Sequence, residues 1–381
     1  MYEVACAIIK PNWGTAFALC VALLAPKEGA ARVYDLYRAD YVKGAFCSAI
    51  AGACAADEDV ENAYFQNPAA LSAGESGINF DGDYNGSSNL EPGMKGSNDV
   101  SEVQFMAGFG WNFARWGAAI SVAGRKDHVI SNVSLIDEQG FTRKFPLTTD
   151  STELQVRLPF SYQVDPKTSL GIALSVESVS QTIQGSQGTR AAISQVGFPI
   201  RLGLTFGGIL RPSKKLRLGS WLRSPTSNYA KIDFAAQAYS NQLNYHEDVA
   251  YHQPWIWAWG GQWNPWSDRR AFLLDLDFVG PTSEGFLLTY DSFSTALGDA
   301  RIRAKGRSVV VEPRLGYRGP WYPGSRGTLM LGGYFESSRW EGLRGRGHLT
   351  GGVSYPVSTW FELMAGGDIA KDFAQVFLTF R

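Results

Sequence analysis

The chain has 381 residues, among them 42 Gly, 12 Trp, 16 Tyr and 22 Phe, and a formal net charge of −1. So balanced a charge offers no basic field for nucleic acid, and a mean hydropathy of −0.14 excludes a bundle of apolar membrane helices. Glycine and aromatic residues in this proportion suit many strands, tight turns and aromatic girdles.

The first element is the apolar run Thr15 to Ala25. It is shorter than the roughly 20 residues of a spanning helix and fits the core of a signal peptide. The small residues Gly29, Ala30 and Ala31 place cleavage after Ala31. Cys6 and Cys20 leave with that segment, and the mature chain keeps Cys47 and Cys54. In an oxidising periplasm the two read as a local disulfide or as two small buried thiols. With no neighbouring His they do not complete a four-ligand site, and no metal is expected.

Lys43 to Ala56 is small and apolar, with Gly44 and Gly52 allowing close packing. Asp57, Glu58, Asp59 and Glu61 lack the spacing and the Gly of a calcium loop and read as a solvated acidic face. The stretch stops at Asn67-Pro68-Ala69. Pro68 drives Asn67 out of the α region, and Asn67 can bond its own backbone in a turn.

From Gly77 onward apolar and polar residues alternate, the period of half-buried strands. Val103, Phe105, Phe109 and Trp111 share one face, with Glu102 and Gln104 on the other. Leu154, Val156, Leu158 and Phe160 oppose Glu153, Gln155 and Arg157. Ile200, Leu202, Leu204 and Phe206 oppose Arg201 and Thr205; Phe272, Leu274 and Leu276 oppose Asp275 and Asp277; Val311 and Leu315 oppose Glu312 and Arg314; Leu349 and Val353 oppose His348 and Thr350. Several runs reach about ten residues, enough to cross a bilayer at a tilt, and the apolar face is nearly free of charge. An Arg or Lys there would cost roughly 2–4 kcal/mol at mid-bilayer. The apolar face is therefore expected to meet lipid. The charged face (Glu153, Arg157, Arg201, Asp275, Asp277, Glu312 and Arg314) would line a lumen as a bracing network. Trp111, Trp116, Trp221, Trp255, Trp263, Trp266, Trp321, Tyr322 and Trp360 stand near strand ends, as interfacial belts do.

Short turns such as 165–167, 211–215 and 264–268 alternate with longer connections over 125–150, 238–252 and 292–305, the pattern of a membrane barrel. About 14 strands are counted by these signals. Pro159 and Pro313 interrupt strand patterns and predict bulges or kinks. The last segment, Phe373 to Phe380, places Ala374, Val376, Leu378 and Phe380 on one face, followed by Arg381.

A small-residue segment, an acidic run and Asn67-Pro68-Ala69-Ala70-Leu71 before the first strand of an all-β chain resemble the long-chain fatty-acid and hydrocarbon transporter family of the bacterial outer membrane. The terminal strand also resembles the signal by which such barrels are recognised for insertion, although that signal ends on the aromatic and here Arg381 follows. The likeness in layout covers 39–381; that in motif covers about twenty residues. It implies a transmembrane antiparallel β-barrel over 75–381, closed by an N-terminal helical plug over 32–74 after a signal peptide over 1–31. The Asn67, Pro68, Ala69 motif would sit in the plug. Substrate would bind near the outer loops, where Phe141, Phe145 and Leu147 offer apolar contacts. It would leave sideways by a kinked strand, with Gly117 and Gly124 as kink sites, as the plug shifts.

No Gly-x-Ser-x-Gly, His-Glu-x-x-His, Cys-x-x-Cys or phosphate loop occurs, so no enzyme and no cofactor are expected. The four His, at 128, 246, 252 and 348, read as structural. The expectation is a monomeric outer-membrane channel taking up hydrophobic small molecules, with lipid and substrate as its partners. The alternatives are a structural or assembly barrel without transport, and a non-specific porin.

Overall fold

The computed structural model describes residues 32–33, 43–74, 76–87, 98–136, 142–187, 190–238, 241–266, 269–281, 285–286, 303–304, 306–339, 341, 344–371 and 373–381. The expected signal peptide over 1–31 lies outside them. No helix among the described residues is long and apolar enough to cross a membrane.

The strands run antiparallel, neighbour to neighbour, in chain order. They are β1 (Gly77–Ser87), β2 (Asn98–Phe113), β3 (Trp116–Ile136), β4 (Thr142–Asp165), β5 (Thr168–Gln187) and β6 (Arg190–Ser213). Next come β7 in two pieces (Leu216–Arg223, Thr226–Ala238) and β8 in two pieces (Asn241–Gln253, Ile256–Trp263). Then follow β9 (Ala271–Val279), β10 (Val310–Pro320), β11 (Thr328–Glu336), β12 (Arg346–Pro356), β13 (Glu362–Ala370) and β14 (Phe373–Phe380). Short pieces Gly285–Phe286 and Arg303–Ala304 continue the pairing of β9 with β10 in the same register. Pairing of β14 with β1, from Phe373 opposite Ser87 to Phe380 opposite Phe80, closes the 14-stranded barrel. Closure leaves no edge in lipid.

The alternation sorts the two faces. Val103, Phe105, Phe109 and Trp111 are all more than half exposed outside, while Gln104 is 7% and Met106 2% exposed inside. Leu274 and Leu276 face out while Asp275 and Asp277 face in. Such an apolar exterior has no counterpart in water-soluble sandwiches and belongs in a bilayer.

The short turns gather at one end, and aromatic side chains crowd there: Trp111 on Phe113, Trp116 on Tyr162, Trp263 and Trp266 on Phe272, and Trp321 on Tyr355, with ring centroids 4.4–6.2 Å apart. Trp221 does not join them. It lies on the inward parity of β7 and is 2% exposed, packed with Ala55, Ile256 and Ala258.

The other end is uneven. β4 and β6 have 24 residues each, β14 only 8. About ten suffice to cross, so β3 to β8 stand well beyond the bilayer. The expected loops over 125–150 and 238–252 are strand over their described residues, 125–136, 142–150, 238 and 241–252. Most of 292–305 lies outside the described residues, as does Phe141, whereas Phe145 and Leu147 stand within β4.

Neither proline expected to cause a bulge does so. Pro159 leaves a gap in the β3–β4 ladder, where Ala119 and Ile120 go unpaired, but the register on either side is the same. Pro313 pairs opposite Leu276, one residue before the β10–β11 ladder begins. A missing N–H at a ladder gap or ladder end breaks nothing. The register shifts fall instead at Gln163/Asp165, Glu177/Val179 and Leu210/Ser213. Gly117 and Gly124 lie in an uninterrupted ladder with β2, and on the other side of β3 they flank the gap at Ala119 and Ile120.

Candidate functional site

Residues 43–74 fill the lumen. They form α1 (Ala45–Ala49), α2 (Val60–Phe65) and a 3₁₀ turn over Pro68–Ala70. Neither helix is long enough to be stable alone, so both depend on the wall around them. Ala45, Ala49, Ile50, Ala53, Cys54, Tyr64, Ala69 and Leu71 are all fully buried. The structure joins Cys47 and Cys54 as a disulfide, with Cα atoms 5.9 Å apart. It ties α1 to the turn holding Ala51 and Gly52, whose φ values are +61° and +74°.

Glycines on the inner wall make room for this segment. A Cβ on Gly219 of β7 would stand 1.9 Å from the Ala55 carbonyl oxygen, and one on Gly171 of β5 would stand 2.4 Å from Ala69 N. Both obstacles are backbone, which cannot swing aside. Gly316 and Gly332 meet the backbone of Ile50 and Ala51 in the same way, and Gly207 meets the Asn67 side chain. These glycines lie within strands, where turns would not call for them.

The motif residues fasten the segment to β5 and β6. Asn67 is 0% exposed. Its Oδ1 accepts from Ala69 N at 3.1 Å, and its Nδ2 donates to Ala55 O at 2.7 Å and to Gly208 O at 3.3 Å. Pro68 opens the 3₁₀ turn, where a missing N–H costs nothing, and Ala69 packs against Gly171. Asn67→Ala removes the cap and leaves two buried carbonyls short of a donor. The expected loss is about 2–4 kcal/mol of docking free energy, read as faster protease cleavage within 43–74 in the detergent-solubilised barrel.

The acidic run is not a solvated face. Asp57 bonds Arg318 at 2.7 Å and Asp59 bonds Arg381 at 2.5 Å, while Glu58 is paired with both Arg211 and Arg217. Each partner comes from a barrel strand or the chain end, so these carboxylates clamp the segment at the short-turn end of the wall. Glu61 is 1% exposed, and its Oε1 accepts from the amides of Phe46 and Cys47 at the start of α1. Burial, reinforced by Asp81 and Asp59, pushes the Glu61 carboxyl well above the ordinary range. The docked segment therefore favours the protonated acid, and docking weakens as pH rises from the free-acid value through the raised one. Glu61→Gln keeps an acceptor oxygen and is expected to remove that pH dependence of cleavage.

The charged wall residues fall into two groups. Around Arg314, Nε meets Asp277 at 2.6 Å, Nη2 meets Glu312 at 2.5 Å, and Nη1 donates to Ala51 O at 3.0 Å. Asp275 takes no part in this pairing; its Oδ2 accepts from Ala55 N at 2.7 Å. Across the lumen, Arg201 meets Glu177 at 3.2 Å and Glu153 at 3.5 Å, and Arg223 also pairs with Glu177. Arg157 is 4% exposed and reaches Gln66 O at 3.5 Å. His348 is buried between Asp368 and Glu336, 2.9 and 3.0 Å away, and stacks on Tyr334. His128 bonds Asp150 at 2.7 Å, and the side chains of His246 and His252 lie outside the described residues.

Above the luminal segment is a cavity of about 50 Å³, lined by polar groups such as Lys43, Asp83, Glu102, Gln104, Arg125 and Asp368. It has room for a few water molecules, and Ala51, Tyr334 and Phe373 complete its lining.

The same fold occurs in solved structures of transporters. The Ralstonia pickettii toluene transporter TbuX superposes with a TM-score of 0.63 at 13% identity, over 88% of this chain and 96% of that one. The Pseudomonas putida toluene transporter TodX gives 0.61 at 13%, over 92% and 98%. A Pseudomonas aeruginosa FadL homologue gives 0.62 at 10%, over 90% and 97%. No protein-family model and no curated protein matches the sequence. The chain is a transmembrane β-barrel of the outer-membrane type.

Proposed function

We propose that this barrel takes up hydrophobic small molecules across the bacterial outer membrane, with residues 43–74 as its plug. The observation that carries the reading is an apolar-faced closed barrel whose lumen is filled by its own chain. A filled lumen is of no use to a non-specific porin, which needs a standing water path. It suits a carrier of apolar molecules, because moving such a molecule through open water would cost about 0.8 kcal/mol per CH₂. The fold shared with two toluene transporters and a FadL homologue supports the same class of cargo. The plug is held by carboxylate clamps and by glycines fitted to its backbone, so passage works around it or through a small shift of it.

Uptake of labelled toluene and of a labelled long-chain fatty acid, by cells with and without the gene, tests this. Faster uptake of at least one by the producing cells is expected. Equal uptake of both, with the barrel present in the outer membrane, would favour a structural or assembly role.

A further inference from the structure

We propose that the short-turn end of the barrel carries a binding surface for the phosphates of acidic phospholipids, in the leaflet that meets the aromatic side chains there. Such binding holds whether or not the barrel transports. Five successive turns at this end present exposed cations. They are Arg115 between β2 and β3, Lys167 between β4 and β5, Lys214 and Lys215 between β6 and β7, Arg269 between β8 and β9, and Arg326 between β10 and β11. The turn between β12 and β13 has none and ends instead on Trp360, 92% exposed.

The backbone of these residues is fixed. The Arg115 carbonyl accepts from Gln163 N at 2.8 Å, that of Lys167 from Arg211 N at 2.7 Å, and that of Lys215 from Asn264 N at 2.8 Å. Arg269 Nη2 donates to Arg326 O at 3.1 Å. Each bond ties a cationic turn to the strand end or turn beside it, so the charges follow the wall as an arc. The turn holding Arg326 is also bonded within itself: Ser325 N donates to Tyr322 O, and Gly327 N to Ser325 Oγ, both at 3.0 Å.

The acids at this end do not use up the charge. Asp57, Glu58 and Asp59 are matched by four other cations, Arg318, Arg211, Arg217 and Arg381. Asp165 accepts from the backbone N–H of Lys167 at 2.7 Å, and Asp268 lies outside the described residues. Among the described residues no carboxylate stands within ion-pair distance of the six arc side chains. Like charges fixed in a row repel one another, and the countercharge must come from outside the chain.

Position selects the partner. Trp116 on Tyr162, Trp263 and Trp266 on Phe272, and Trp321 on Tyr355 crowd the same end, and such rings mark the depth of lipid headgroups. Cations just beyond them meet phosphates, which attract Lys and Arg to an anionic leaflet and suit the Arg fork. An acidic protein docking over the mouth of the lumen would find the cations there already engaged by the luminal segment. The unengaged ones lie along the wall, where lipid is the neighbour.

Tryptophan quenching by nitroxide-labelled lipids tests this in the purified, reconstituted barrel. With labels at equal depth, phosphatidylglycerol is expected to associate about five-fold more strongly than phosphatidylcholine at low salt. At about 0.5 M salt the two should become nearly equal. A variant with Arg115→Gln, Lys167→Gln, Lys214→Gln, Lys215→Gln and Arg326→Gln is expected to fold and to lose the preference, since these five exposed side chains carry no hydrogen bond among the described residues. Equal association of the two lipids with the unsubstituted barrel at low salt overturns the proposal and leaves the arc to an acidic protein. A preference that survives all five substitutions in a folded barrel overturns it too. So does a preference that high salt does not weaken in the unsubstituted barrel, a result that stands whether or not the variant folds.

Discussion

Gly219→Val is expected to leave barrel insertion intact and to unseat the plug, raising leakage of small polar solutes about ten-fold or more. The new Cβ would lie 1.9 Å from Ala55 O and 2.6 Å from Ala56 Cα, both backbone atoms. Overpacking against a flexible side chain typically costs 1–3 kcal/mol; here no side chain can rotate away, and the segment itself must move. Gly219 is on the inner face, so the lipid-facing surface is unchanged. Gly171→Val should act alike, since it meets Pro68 and Ala69. Gly82→Val is the control, because a Cβ at Gly82 meets nothing within 4 Å. Liposome swelling with small sugars reads the effect. Swelling equal to that of the unsubstituted barrel in both inner-wall variants would mean that the segment is not seated where the glycines lie.

Arg381→Ala is expected to loosen the same plug from its other side. The guanidinium bonds Asp59 at 2.5 Å and Glu362 at 2.7 Å and lies over the Phe46 ring at 4.8 Å. Its backbone N and O both pair with Glu362, so the final residue continues β14. One side chain thus joins the barrel's closing strand to both helices of the luminal segment, because Asp59 caps α2 and Phe46 belongs to α1. Burial alone would raise the Asp59 carboxyl; Arg381 overrides burial and holds it below the ordinary range. A depressed acid lends stability that is present above its free value and lost as pH falls through the bound one. Removing one partner of a largely buried pair typically costs about 3–5 kcal/mol. With Arg381 22% exposed, the lower end is expected, together with loss of the acid-side dependence of plug cleavage. Asp59→Asn combined with Arg381→Gln should cost less than the two single changes added. Strict additivity would show that the two groups do not act as a pair.

Strand positions and their faces were legible because lipid on one side and a packed lumen on the other impose a period of two. That signal fades where strands leave the bilayer, which is why 125–150 and 238–252 read as loops. Asp57, Glu58 and Asp59 read as solvated because their partners, Arg318, Arg211 and Arg381, are 261, 153 and 322 residues away in the chain. Nothing local marks such a pair. Gly171 and Gly219 carry no mark of their own in the sequence, and only the buried segment opposite them gives their reason. Trp221 was misplaced by its position near a strand end, although its parity with Arg217 and Arg223 on β7 would have turned it inward.

The central claim is that the lumen is closed by the chain's own residues 43–74. It is met most directly by ion current through the unmodified barrel in a planar bilayer. The account predicts insertion without steady conductance, and stepwise current only once Gly219→Val has displaced the segment. A large, steady current through the unmodified barrel would contradict it.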